Sequence, residues 1–165
     1  MEKKILDVVI GGVINGKGEI LLLKRRKDPY ANYWGLPGGK INFGESPEEA
    51  IEREIKEETD IDAKLVGLKG LVNEIIYEEK KNEELMHFII WVCELKPSHF
   101  KARESVEGKL RWLSLKTLAK FKRVIIPSDF LMIRKLFAKK TRAIPFYKVK
   151  MIATKIGYTI EETDL

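Results

Sequence analysis

The sequence predicts a single α/β domain in which helices cover a β-sheet, and three observations carry that prediction. Apolar segments rich in branched and aromatic residues recur between polar turns as far as KLRWLSL, the stretch beginning Ser46-Pro47-Glu48-Glu49 reads as a helix start, and PSDFLMIRKLFAKK repeats apolar residues at helical spacing. Strands interleaved with helices require layered packing, because a sheet face and a helix stripe each need an apolar partner. At 165 residues the chain is long enough for one core and short for two.

In chain order, DVVIGGVI and GEILLLKRR flank the turn Asn15-Gly16-Lys17-Gly18, which predicts a hairpin in the first 26 residues. A helix follows from Pro47, with Ser46 as N-cap, proline at the first helical position and Glu49 three residues after the cap. AKLVGLKGLVNEIIYEE and LMHFIIWVCELK, separated by Lys80-Lys81-Asn82-Glu83-Glu84, predict an antiparallel pair, and KLRWLSL a further short strand. PSDFLMIRKLFAKK has Pro127 near its start and apolar residues at 130, 131, 133, 136 and 137, an amphipathic helix reaching Lys140. Residues 1–140 form the main domain. Residues 141–165 are a C-terminal extension whose period-2 runs, such as YKVKM, predict one or two edge strands that dock on the sheet, mediate dimerisation or stay partly loose.

Composition excludes several classes. Apolar residues are 44% and charged residues 34% of the chain, a folded rather than a disordered balance. No apolar run approaches the roughly 20 residues that span a bilayer. Asp7 interrupts MEKKILDVVIGGVI and no small-residue cleavage pattern follows, so this segment is expected to be a first strand and the protein cytoplasmic. Cys93, the only cysteine, forbids an internal disulfide or a thiolate cluster and reads as a small buried hydrophobe; His87 and His99 are too few and scattered for a zinc centre. Any metal must therefore be held by oxygen. The net charge of +6 is uneven: residues 1–95 carry 14 basic and 19 acidic residues, net −5, and residues 96–165 carry 17 and 6, net +11. A basic half suits an anionic partner such as a nucleotide or nucleic acid, or serves as a lysine-rich solvated surface.

The helix from Pro47 holds the most informative pattern. At about 100° per residue, Glu54, Glu57 and Glu58 share one sector with Ala50 and Ile51 a turn earlier, while Glu49, Glu52 and Lys56 occupy the opposite, solvent side. Like charges at these spacings cost about 0.2–0.5 kcal/mol each, and anions in the last turn oppose the helix dipole by about 0.3–1 kcal/mol. Turning them inward costs more unless a cation is present. A divalent ion such as Mg²⁺ or Mn²⁺, which prefers carboxylate, carbonyl, water and phosphate oxygens, accounts for the cluster; an ordinary charged helix with surface ion pairs is the alternative.

The pattern extends beyond the helix. Gly39, five residues, Glu45, seven residues, Arg53-Glu54-Ile55-Lys56-Glu57-Glu58-Thr59, one position and apolar Ile61 resembles the Nudix box of the Nudix (MutT-like) hydrolases, and Trp34-Gly35-Leu36-Pro37-Gly38-Gly39 before it is also typical of them. The broader likeness covers roughly residues 5 to 140. One position departs: the family's glycine near the end of the box is Asp60, which tolerates the left-handed conformation expected just past a helix. The resemblance implies an α/β/α sandwich around a mixed sheet and hydrolysis of a nucleoside diphosphate linked to a further group. It implies that Glu54, Glu57, Glu58 and the Gly39 carbonyl bind metal and that Arg53 and Glu45 form a bracing pair. Glu54 is then the first candidate for general base, with Glu104 and Glu107 as alternatives.

Arg25, Arg26 and Lys27 end the second strand, where they can contact phosphates or simply keep an edge strand soluble. In this family, ADP-ribose-cleaving members often carry a proline some fifteen residues past the box, and dinucleoside-polyphosphate hydrolases a tyrosine. That window here holds Glu74-Ile75-Ile76-Tyr77, favouring the second class and making Tyr77 a candidate substrate contact. Trp34, Phe43, Phe88 and Trp91 can stack on a base or fill a core. The expected partner is a small nucleotide, a nucleoside triphosphate or dinucleoside polyphosphate before ADP-ribose or a nucleotide sugar. A non-catalytic nucleotide- or RNA-binding module, for which the chain offers no dedicated RNA motif, and a homodimer complete the expectations.

Overall fold

Strands β1 (Ile5–Val13) and β2 (Glu19–Arg25) leave their shared turn into different sheets. The computed structural model describes residues 4–81, 83–138, 144 and 146–161. In it the expected hairpin shrinks to the turn itself, where the Gly18 N–H donates to Asn15 O, and to one bridge between Ile14 and Ile20. The reason is competition for edges. One edge of β1 pairs antiparallel with β4 (Gly38–Lys40) and the other pairs parallel with β6 (Glu84–Pro97) over Ile5–Val13, so none is left for β2. Turn chemistry is a local signal, and long-range pairing and burial override it.

The larger sheet has the order β4-β1-β6-β5-β8-β9, with β5 (Ala63–Glu78), β8 (Phe146–Thr154) and β9 (Gly157–Glu161). β5 and β6 form the expected antiparallel pair; Asn82, between them in sequence, lies outside the described residues. β8 runs parallel to β5 along Leu71–Glu78, and β9 turns back along β8, so these two strands extend a sheet that the parallel β1–β6 pair already makes mixed. The smaller sheet is β3-β2-β7, with β3 (Trp34–Gly35) and β7 (Gly108–Ser114), the latter the strand expected at KLRWLSL.

Period-2 alternation sorts β6 between two layers. Cys93 and Leu95 pack with Ala50, Ile51 and Ile55 of α1 (Pro47–Thr59) on one face. Phe88, Ile90 and Val92 pack with Met132 and Leu136 on the other. The fold is thus an α/β/α sandwich. The second helical layer begins as α2 (Pro127–Met132) and continues as a π-helical turn, Ile133–Phe137, in place of the continuous helix expected to Lys140. The wider turn ends on Phe137, whose ring fills the space a side chain at Gly12 would need. Lys139, Lys140 and residues 141–143 lie outside the described residues. Among the described residues no helix is long and apolar enough to cross a membrane.

Candidate active site

The start of α1 is fixed by the expected capping box: Glu49 N–H donates to Ser46 Oγ at 3.2 Å, and Ser46 N–H donates to Glu49 Oε2 at 2.8 Å, with Pro47 in the first turn. Its end is fixed by Asp60, which adopts φ 60°, ψ 15° and donates its N–H to Lys56 O, the left-handed cap that the sequence requires there. The acidic patch is held between these two caps.

Arg53 is the hub of that patch. Its Nε and Nη2 donate to the two oxygens of Glu45 at 2.6 and 2.9 Å, Nη1 donates to Glu54 Oε1 at 2.6 Å and Glu57 Oε2 at 3.4 Å, and Nη2 also reaches Lys40 O at 3.1 Å. The guanidinium, helped by the Asn42 N–H, holds the Glu45 carboxyl down at about 2. The arginine thus ties the helix to the loop before it and to β4.

The three glutamates are not equivalent. Glu58 is buried, accepts the Gly38 N–H at 2.8 Å, and is pushed up to about 8 by burial, with Glu54 and Glu107 adding to the rise and Arg25 opposing it. Glu54, its side chain 15% exposed, is also raised by burial, against the pull of Arg53. Glu57 stands at the rim, 60% exposed. Gly39 is a glycine for a stated reason: a Cβ there would lie 2.6 Å from the Glu54 carboxyl carbon, so Glu54 packs directly on the β4 backbone. Among the described residues no three acidic, histidine or cysteine side chains already surround one point, because Glu54 and Glu57 face Arg53 and Glu58 faces Gly38. The donor set still fits a hard dication: it is all oxygen, and Glu58 and Glu54 are desolvated at a cost that a cation would offset. An ion would have to draw Glu54 and Glu57 away from Arg53 by side-chain rotation.

These groups open on a cleft of about 410 Å³ that brings together Gly39, Glu54, Glu57, Glu58, Arg25, Arg26, Lys27, Lys40 and Glu107. Arg25 Nε donates to Pro29 O at 3.1 Å, Arg26 Nη1 donates to Val106 O at 3.1 Å, and Lys27 Nζ lies 3.3 Å from Glu107. Those last two contacts carry the loop bearing Glu107 to the cleft. Glu104 is not part of its wall and accepts the Leu110 N–H at 3.4 Å. Tyr77 is also outside the wall, its ring under Lys150 Nζ at 4.6 Å to the centroid. Of the aromatic candidates Phe88 lines the cleft, Trp91 packs on the α1 side of the sheet, Trp34 packs in the core under the smaller sheet, and Phe43 is fully exposed.

Two acidic cleft residues were not singled out from the sequence. Glu74 is 2% exposed and accepts from Tyr30 OH at 2.7 Å, and Asp129 is 7% exposed and accepts the Leu36 N–H at 2.6 Å. The signal was present in each pattern. Glu74 alternates with Val72 and Ile76 on the buried face of β5, and Asp129 stands four and seven residues before the buried Ile133 and Leu136. An acid at a core position is the departure to look for.

The layered fold and the phosphate-suited cleft on an acidic helix define a class, and comparison identifies it. The NUDIX domain model matches residues 4–132, and the chain belongs to that family. It is 42% identical over 109 residues to the 8-oxo-dGTP diphosphatase of Haemophilus influenzae, covering 66% of this chain and 76% of that protein. It is 44% identical over 64 residues to the ADP-ribose pyrophosphatase of Methanocaldococcus jannaschii, covering 39% of this chain and only 38% of that protein's length. The MutT protein of Methanosarcina mazei superposes with a TM-score of 0.68 at 28% identity, over 84% of this chain and 99% of that one. A MutT protein from Bacillus halodurans, at 21% identity and TM-score 0.72 over 96% of each chain, shares the fold.

Proposed function

We propose that the chain is a divalent-cation-dependent pyrophosphohydrolase that cleaves a nucleoside diphosphate linked to another group, with a nucleoside triphosphate, oxidised forms included, or a dinucleoside polyphosphate as substrate. The observation that supports it is the convergence on one cleft of the three α1 glutamates, the Gly39 backbone and the basic end of β2. Relatives named as diphosphatases and pyrophosphatases support the same reaction class.

In this reading Glu54, Glu57, Glu58 and the Gly39 carbonyl hold Mg²⁺ or Mn²⁺. When bound, such an ion neutralises the pyrophosphate oxygens, acidifies a water and stabilises the leaving phosphate. Arg53 and Glu45 hold α1 in register against β4, so the carboxylates meet the phosphates at fixed positions. Arg25 and Arg26 supply forked donors to the phosphate chain. Glu54, desolvated against Gly39, takes the proton of the attacking water; Glu107, which also lines the cleft, is the alternative base. A turnover-free nucleotide-binding module is the second reading, and it draws on the Arg53 contacts that neutralise Glu54 and Glu57.

A panel of nucleoside triphosphates, ADP-ribose and diadenosine polyphosphates with Mg²⁺ separates the two. Release of phosphate or nucleoside monophosphate from at least one member is expected. Tight binding of one member with no product from any would establish the binding module instead.

A further inference from the structure

The turn that follows β2 has a backbone its own side chains disfavour. Tyr30 and Asn32 both adopt φ 70°, a region that asparagine tolerates and an aromatic residue rarely enters. Such a turn persists only where its surroundings hold it. Backbone bonds close it: the Asn32 N–H donates to Arg25 O at 2.8 Å, and the Arg25 N–H donates to Tyr33 O at 2.9 Å. Tyr30 is buried and gripped at two further points. Its OH donates to Glu74 Oε1 at 2.7 Å, and its ring meets Tyr158 of β9 edge-to-face at 4.6 Å between centroids.

Tyr158 grips the far side of the turn as well. Its ring lies 6.0 Å from that of Tyr33, and its N–H donates to Tyr33 OH at 3.4 Å. Gly157, at φ 143°, leaves Tyr33 OH the space that a side chain would fill. These contacts come from residues beyond the NUDIX match, which ends at 132, and Tyr158 does not itself line the cleft.

What the turn controls is Arg25. The φ rotation of Tyr30 sets the direction of the Pro29 carbonyl, because the peptide unit joining the two residues is planar. That carbonyl accepts from Arg25 Nε at 3.1 Å. Among the described residues the Arg25 Nη groups donate to no protein atom, so a guanidinium aimed through Nε keeps its outer N–H donors for a ligand in the cleft it lines.

We propose that Tyr158 of the C-terminal extension is a positioning residue for substrate binding: through Tyr30 and Tyr33 it fixes the turn whose Pro29 carbonyl aims the Arg25 fork at the phosphate chain. The extension thereby sets the geometry of a cleft it does not enter.

The inference rests on the nucleotide reading above, and its test is chosen to fail separately from it. Binding of the α,β-methylene analogues of ATP and GTP, whose bridging carbon resists hydrolysis, is measured by titration calorimetry with Mg²⁺. Arg25→Ala is expected to weaken both at least about tenfold and by the same factor, as a phosphate contact requires. Tyr158→Ala should weaken both about three- to tenfold, and Tyr158→Phe, which keeps the aromatic edge, should stay within about twofold of the wild type. Added to Arg25→Ala, Tyr158→Ala should cost less than about twofold more, because its effect passes through the missing side chain. Tyr158→Leu, which fills the space without an aromatic edge, carries the same cycle if the thermal melt shows the alanine variant unfolded. Mn²⁺ affinity without nucleotide should not change in any Tyr158 variant. Wild-type affinity in the Tyr158 variants, a loss confined to one base, or an undiminished further loss in the Arg25→Ala background overturns the inference while leaving hydrolysis standing. Failure of the wild type to bind either analogue overturns both.

Discussion

The two ends of the cleft carry carboxyls in contrasting settings. At the α1 end an arginine is at hand: Arg53 engages Glu45, Glu54 and Glu57, and the Glu45 carboxyl lies well below its ordinary range. At the inner end burial dominates: Glu74 and Asp129 are desolvated among apolar side chains and both are raised, with Arg25 as a shared, more distant cation. A charged group at the first end can exchange one cation for another, as binding a metal requires. A group at the second end is held mainly by hydrogen bonds, Glu74 by Tyr30 OH and Asp129 by the Leu36 N–H.

The sharpest way to break this comparison is Glu57→Gln. Because Glu57 is 60% exposed, its loss should barely move the melting temperature, yet turnover should fall by about three orders of magnitude or more if a cation is held there. Rates and melts measured together test this, and a parallel loss of both would mean the residue is structural. Gly39→Ala comes next. A methyl group would lie 2.6 Å from the Glu54 carboxyl, and kcat is expected to drop about ten- to a hundredfold with a modest stability loss. An unchanged rate would show that Glu54 need not pack on β4.

The smallest effect is on stability against pH. Asp129 is pushed up to about 7, by burial first, with the Leu36 N–H opposing. An unfolded aspartate ionises near about 4. The folded state therefore holds its proton while the unfolded state releases it, and stability from this group falls as pH rises from about 4 to about 7, then levels. Glu58, raised to about 8, extends the same slope further. Urea titrations across this range should show a shallower decline in Asp129→Asn than in the wild type. Identical slopes would mean the carboxyl is not protonated in the fold.

How much of this was legible in the sequence follows from the range of each determinant. α1 was readable in full because its caps, its solvent face and its acidic sector are set within a few residues, and the observed capping box and the left-handed Asp60 follow from the same local rules. The β5–β6 pair was readable because a polar turn joins its strands directly. The β1–β2 hairpin misled, since nothing near the turn reveals that both edges of β1 are claimed by β4 and β6. Arg25, Arg26 and Glu107 reach the cleft, whereas Tyr77, chosen by its distance along the chain from the box, lies outside its wall. Glu74 and Asp129 were overlooked because each sits inside an otherwise regular apolar pattern, and only the packing of Tyr30 and Leu36 onto them shows what they face. The strands of the extension were readable from period-2 runs such as YKVKM, but the partner of β8 was not: parallel pairing with β5 joins residues 75 positions apart along the chain, Leu71 with Phe146, and β9 rather than β8 takes the edge.

Direct titration of the protein with Mn²⁺, followed by electron paramagnetic resonance of the free ion, tests the central claim that the α1 carboxylates gather a divalent cation. Saturable binding that is weakened about tenfold or more in Glu57→Gln and in Glu58→Gln is the predicted result. Wild-type protein that leaves the Mn²⁺ signal undiminished, or variants that bind as the wild type does, would contradict it.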